Sequence, residues 1–145
     1  MPISTRMHGI LDYLVAAVII VVPAYFLMTG AAADGTALPE SVDASQGPTA
    51  AWVLIIAGII IVGQSLFTRY ELSLVPAIPM SVHLVIDVLL GLALIASPWL
   101  FGFADIIWWP HVLVGLVALG TAALTQRAST RYDPSLDTEP RARTE

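Results

Sequence analysis

Two histidine–aspartate pairs recur at one spacing in this chain and are its residues best suited to chemistry. His8 and Asp12 stand four residues apart, as do His83 and Asp87, and each pair opens a long apolar run. Residues four apart share one face of a helix. Imidazole and carboxylate groups can bind one another, exchange protons or hold a metal ion. The pattern therefore places two ionisable pairs where apolar segments begin, a place where such groups need partners.

The composition indicates the surroundings of these apolar runs. The chain has 145 residues, of which 57% are hydrophobic and 12% charged, and its mean hydropathy is +0.83. A soluble domain of this size cannot bury so much apolar surface, so the class is integral membrane protein. The absence of cysteine excludes disulfides, thiolate metal sites and thiol nucleophiles. A net charge of −5 without any lysine argues against nucleic-acid binding.

Four segments are long enough to cross a hydrocarbon core of about 30 Å. They cover approximately residues 7–28, 51–68, 82–103 and 108–126. The sequence thus predicts an all-α polytopic protein with four transmembrane helices in the lipid bilayer. The tail 129–145 mixes charges with proline and lacks apolar periodicity, which predicts disorder.

The arginines predict the direction of the spans. All six lie on one side of this layout, so the positive-inside rule makes both termini and loop 69–81 cytoplasmic, with loop 29–50 outside. The tryptophans would form an interfacial belt on the outer side: Trp52, Trp99, Trp108 and Trp109. An alternative interpretation treats the first run and "AAADG" as a secretory signal. The run is long for a signal peptide, and the similar run at 82–103 is internal and cannot be one, so we expect the first span to be retained in the mature protein.

The spans also indicate an internal repeat. Residues 8–28 match 83–103 at a shift of 75, and spans two and four match at a shift of 57. The first match aligns the two His/Asp pairs and also Pro23 with Pro98, and each proline is predicted to kink or end its helix. We predict a membrane domain, 1–128, of two parallel-repeat helical hairpins, about 7–70 and 82–127.

The second copy carries a family resemblance. "SPWLFGF" at 97–103, preceded by "HLVIDVLLGLALIA", resembles the SPW repeat of small prokaryotic integral membrane proteins. The first copy keeps His8, Asp12 and Pro23 but reads "VPA" at 22–24, without the serine and tryptophan. The resemblance implies a two-hairpin domain in a prokaryotic cell membrane and no established biochemical activity.

Four interpretations remain open for the two His/Asp pairs. The first is a polar clamp in a structural or accessory membrane protein, acting as a homo-oligomer or with a membrane-complex partner. The second is a transporter or proton relay, which needs a polar cavity between spans one and three reaching past Asp87. The third is a metal site, and the fourth is haem ligation by His8 and His83. No placed nucleophile accompanies the pairs, so we expect no enzyme, and the clamp needs no cofactor.

Several neighbouring residues carry secondary expectations. Gln64 and Ser65 are expected to donate hydrogen bonds to the carboxylates, and Thr68 and Thr125 to do the same or to cap helices. His111 is expected at the outer interface. Four glycines are expected to allow close helix packing: Gly58, Gly63, Gly115 and Gly120.

Overall fold

Four α-helices make up this computed structural model, which describes residues 3–29 and 46–125. They are α1 (Thr5–Thr29), α2 (Gln46–Phe67), α3 (Met80–Leu100) and α4 (Trp109–Leu124). Over the described ranges there is no β-strand, only two isolated bridges. The all-α class is therefore confirmed. The predicted disordered tail lies outside the described residues, and so does most of loop 29–50.

The helices have the length and composition of membrane spans. The first three are long and apolar enough to cross a bilayer, whereas α4 has 16 residues, about 24 Å at the helical rise of 1.5 Å per residue. Their exposed faces are largely aliphatic, as at Val18, Ile59 and Leu89. Helices that are apolar all round and still exposed fit lipid, not water. The chain is a multi-pass membrane protein.

Each hairpin packs chiefly within itself, α1 on α2 and α3 on α4, and the hairpins meet mainly along α2 and α3. A shared apolar core fills the bundle: Ala16, Ile19, Leu54, Ala57, Ile61 and Leu94. Glycine permits the closest approach within the second hairpin, because a Cβ on Gly115 would lie 2.5 Å from the Gly91 carbonyl oxygen. Gly58 packs similarly on Ile20.

Two of the four glycines do not pack as predicted. A Cβ added at Gly63 or Gly120 would meet nothing within 4 Å. The reason is geometric, since five residues advance a helix by about 500°, or 140° beyond a full turn. When Gly58 faces its neighbour, Gly63 must face elsewhere.

The two prolines lie within helices. Helix α1 continues past Pro23 to Thr29, and α3 ends two residues beyond Pro98. Proline has no amide hydrogen to donate to the carbonyl four residues back. For Pro98 that carbonyl belongs to Leu94, and it accepts a hydrogen bond from the Ser97 hydroxyl at 2.8 Å. The serine before the proline therefore satisfies the carbonyl that the proline leaves free.

Two backbone hydrogen bonds, at equivalent positions of the two hairpins, join the hairpins where α1 and α3 begin. The Ile3 amide donates to the Leu124 carbonyl at 2.8 Å, and the Ile78 amide donates to the Phe67 carbonyl at 2.7 Å. The residue pairs are related by the same shifts of 75 and 57 that align the sequence. Each bond fixes the end of one hairpin against the entry segment of the other. The threonines that follow Phe67 and Leu124 are thereby held in place.

Candidate functional site

The two His/Asp pairs converge at the end of the bundle where α1 and α3 begin. His8, Asp12, His83 and Asp87 each offer one ligand atom, and these atoms all lie within 4.8 Å of one another. We call this group the His/Asp quartet. Its histidines are 1% and 0% exposed, and Asp12 and Asp87 are 9% and 4% exposed. Four ionisable groups thus share one site that is nearly closed to solvent.

The closest contacts in the quartet cross between the hairpins. His8 Nε2 lies 3.0 Å from Asp87 Oδ2, and His83 Nε2 lies 3.1 Å from Asp12 Oδ2. The contacts within one helix are longer, 3.4 Å for His8 with Asp12 and 3.3 Å for His83 with Asp87. The two Nε2 atoms are 3.2 Å apart. The pairs therefore meet each other and do not merely satisfy themselves on their own helices.

Two threonines fix the orientation of the imidazole rings. Thr68 Oγ1 and Thr125 Oγ1 each donate to the carbonyl four residues back, at 2.7 and 2.5 Å. A hydroxyl has one hydrogen, so each oxygen can only accept from the histidine nitrogen 2.8 Å away. Those nitrogens are His83 Nδ1 and His8 Nδ1. Both Nδ1 atoms therefore carry hydrogen, and both Nε2 atoms face the quartet.

The carboxylates receive donors from α2. Ser65 Oγ donates to Asp12 Oδ2 at 2.8 Å, and Gln64 Nε2 donates to Asp87 Oδ1, as expected from the sequence. At the matching positions of α4, Thr121 bonds only to carbonyls of its own helix and Ala122 has no polar group. The two hairpins therefore share the histidine arrangement but not the carboxylate donors.

Tyr70 packs beside the quartet, a position that the sequence does not predict. Its ring meets His83 edge-on, with centroids 6.3 Å apart, and is buried. Gly9 makes room for it, since a Cβ there would lie 2.1 Å from Tyr70 Cε2. Burial raises the pKa of the Tyr70 phenol above its ordinary value, so this neighbour stays uncharged. The glycine directly after His8 is the sequence signal that could have indicated a close neighbour.

An apolar region lies on the far side of the quartet. A cavity of about 20 Å³ borders Asp12 and Asp87, which is room for about one water. Apart from those two residues and Thr121 its lining is aliphatic: Leu11, Val15, Ile61, Leu90, Val114, Val117 and Ala118. The apolar core continues beyond it. Within the described ranges, the polar cavity that an ion relay needs past Asp87 is not formed.

The remaining predicted residues lie at the opposite end of the bundle. The four tryptophans are all at least half exposed: Trp52, Trp99, Trp108 and Trp109. His111 lies in the first turn of α4 at the same end, but its side chain is fully buried within the protein. Its Nε2 donates to the Ala50 carbonyl at 3.1 Å, and its ring lies 4.7 Å from that of Phe103. This hydrogen bond joins α4 to α2 far from the quartet.

Comparison with known proteins identifies the family. The family model of the SPW repeat domain matches residues 6–125. No curated protein and no solved structure matches the chain. The match covers both hairpins, the whole quartet and both threonines that orient it. It confirms the resemblance carried by "SPWLFGF", and this chain belongs to the SPW repeat family.

Proposed function

We propose that this SPW repeat protein is a non-enzymatic structural or accessory membrane component whose hairpins are joined by the His/Asp quartet. One observation carries the proposal: each histidine binds a threonine and an aspartate of the other hairpin. Removing one partner of a buried ion pair typically costs about 3–5 kcal/mol, because an uncompensated charge remains. The clamp would hold the fold for a homo-oligomer or a membrane-complex partner.

Two members of the quartet also form, with Thr68, an arrangement that looks catalytic but lacks the required features. Thr68, His83 and Asp12 are linked in sequence by hydrogen bonds, the order of a nucleophile, a base and an acid. The Thr68 hydrogen, however, points to a helix carbonyl and not to the imidazole. Its side chain is also fully buried. An activated nucleophile needs the opposite hydrogen-bond direction and access to a substrate.

Replacing both quartet aspartates tests the clamp. We expect Asp12→Asn together with Asp87→Asn to lower the free energy of unfolding in detergent by at least about 3–5 kcal/mol, because both cross-hairpin pairs lose their carboxylate. Asp105→Asn is the matched control, since Asp105 is exposed in the α3–α4 connection, and should change it by less than about 0.5 kcal/mol.

The same variants separate the clamp from transport. An intact double variant as stable as the wild type, yet lacking a transport or metal-uptake phenotype, would contradict the clamp. Such a result would favour a relay through the quartet instead.

A further inference from the structure

We infer that the His/Asp quartet is a tetrahedral site for one divalent first-row transition-metal ion, with zinc the first choice. The inference extends the proposed clamp, because the ion would be the group that joins the two hairpins. It is carried by the spacing of the ligand atoms, the direction of the imidazole lone pairs and the charge of the site.

The spacing of three ligand atoms matches one face of a tetrahedron. Zinc binds imidazole nitrogen and carboxylate oxygen at about 2.0–2.1 Å, so its ligand atoms lie about 3.3–3.4 Å from one another. In the quartet the two Nε2 atoms are 3.2 Å apart. Asp87 Oδ2 lies 3.0 Å from His8 Nε2 and 3.3 Å from His83 Nε2. Asp12 places Oδ2 3.1 Å from His83 Nε2 and Oδ1 3.4 Å from His8 Nε2. The three contacts among His8 Nε2, His83 Nε2 and Asp87 Oδ2 therefore have nearly the length that a central ion requires, and Asp12 offers one of its two oxygens as the fourth ligand within the 4.8 Å span of the set.

The lone pairs point to the centre. Thr68 and Thr125 hold hydrogen on both Nδ1 atoms, so neutral rings would set two Nε2 lone pairs against each other and against the carboxylates. Doubly protonated rings would instead donate each Nε2–H to the aspartate of the other hairpin, which is the clamp without a metal. A single cation between the four groups would meet both lone pairs and both carboxylates, so that neutral rings need no second proton.

The charge and the outer contacts fit a divalent ion. Two carboxylates and two neutral imidazoles carry two negative charges, which one divalent ion balances. Every ligand residue also makes an outer hydrogen bond, the histidines to threonine hydroxyls and the carboxylates to Ser65 and Gln64. Such outer contacts are a regular feature of metal sites. A mixed nitrogen and oxygen set without thiolate favours zinc, manganese or iron over copper(I) and over calcium.

Metal analysis of the purified full chain is the direct test. The protein is incubated with zinc chloride in detergent, freed of excess metal by gel filtration, and its zinc content is measured by mass spectrometry. We expect one zinc per chain. His83→Gln should lose it, whereas His111→Gln should keep it, because His111 is the buried histidine remote from the quartet. Cobalt(II) in place of zinc should give the visible absorption of a tetrahedral site.

A milder variant guards against misfolding of His83→Gln. Thr68→Val keeps all four ligands but removes the acceptor of His83 Nδ1–H. Losses of such outer contacts lower metal affinity by about 10–100-fold, which competition with a chelator would measure. Ser97→Ala, which removes a hydroxyl at the opposite end of α3, should leave the affinity unchanged.

The outcomes distinguish the metal site from the clamp. A wild-type chain that binds no more zinc than His83→Gln would overturn the metal site. If the aspartate variant were destabilised in that case, the clamp would stand without a metal. If the wild-type chain binds one zinc but the aspartate substitutions leave its stability unchanged, the metal site is supported and the clamp is overturned.

Discussion

At the scale of single residues, Thr125 fixes the orientation of the His8 ring. Its hydroxyl accepts the His8 Nδ1 hydrogen at 2.8 Å in a buried site. Leaving a buried donor unsatisfied costs about 1–3 kcal/mol. We therefore expect Thr125→Val to lower the free energy of unfolding by that amount, measured by thermal or denaturant unfolding in detergent.

Thr121→Val is the control for this prediction. The two substitutions make the same chemical change four residues apart, in the last turn of α4 and at the residue that directly follows the helix. Thr121 bonds only to the Val117 and Ala118 carbonyls, so its loss should alter stability by less than about 0.5 kcal/mol. Equal losses for the two variants would show that the histidine contact contributes nothing.

The residue types of the quartet could be predicted, but its orientation could not. The repeated spacing of His and Asp placed both pairs on matching helix faces, and Gln64 and Ser65 were correctly expected to donate to the carboxylates. Thr68 was expected to donate or to cap, whereas it accepts from a ring nitrogen. That role depends on where its single hydrogen points, which no spacing reveals. Tyr70 lies in an irregular segment whose path has no periodic signal.

At the scale of the helices, Ser97 gives the Ser-Pro pair of α3 a structural role. Its hydroxyl donates to the Leu94 carbonyl that Pro98 leaves without an amide partner. We expect Ser97→Ala to cost about 1 kcal/mol, the net value of a typical hydrogen bond. Because Pro98→Ala restores an amide donor, Ser97→Ala should cost clearly less in that background, as a double-mutant cycle would show. Equal costs in both backgrounds would reject the compensation.

Helix α4 offers a second matched pair in its glycines. A methyl group at Gly115 would meet the Gly91 carbonyl oxygen at 2.5 Å, and neither backbone can move without separating α3 from α4. Gly115→Ala should therefore destabilise by about 1–3 kcal/mol, as overpacking does. Gly120→Ala has open space and should stabilise by up to about 1 kcal/mol, the helix propensity of alanine over glycine. Unfolding of both variants in detergent measures the difference, and a tolerated Gly115→Ala would contradict the close contact.

The helices themselves were predictable because their apolar runs are long. The helix boundary that was predicted least accurately is the start of α2, which begins at Gln46 and not near residue 51. Its first turn reads "QGPTA", which is polar and contains proline, so hydropathy does not detect it. Proline is tolerated there because the first amides of a helix have no intrahelical partner.

At the scale of the whole molecule, the two hairpins are joined unevenly. Helices α2 and α3 pack together, whereas an apolar cleft of about 270 Å³ separates α1 from α4. It is lined by Leu14, Val15, Val18, Ile19, Leu113, Val114 and Val117. A strict two-fold arrangement would make the two contacts alike. Because α1 and α4 lie apart, many of the polar contacts between the hairpins are made by the quartet and by the two backbone hydrogen bonds, from Ile3 to Leu124 and from Ile78 to Phe67.

The direction of the molecule in the membrane is the last prediction. Arg6 and Arg69 are exposed at the quartet end, and Asp105 is exposed at the other end, so the positive-inside rule places the quartet near the cytoplasm. The chain has no cysteine, which makes single-cysteine labelling unambiguous. In intact cells a membrane-impermeant maleimide should label Asp105→Cys at once and Leu74→Cys only after permeabilisation. Leu74 is well exposed, so the opposite pattern could not come from burial and would place the quartet on the outer face.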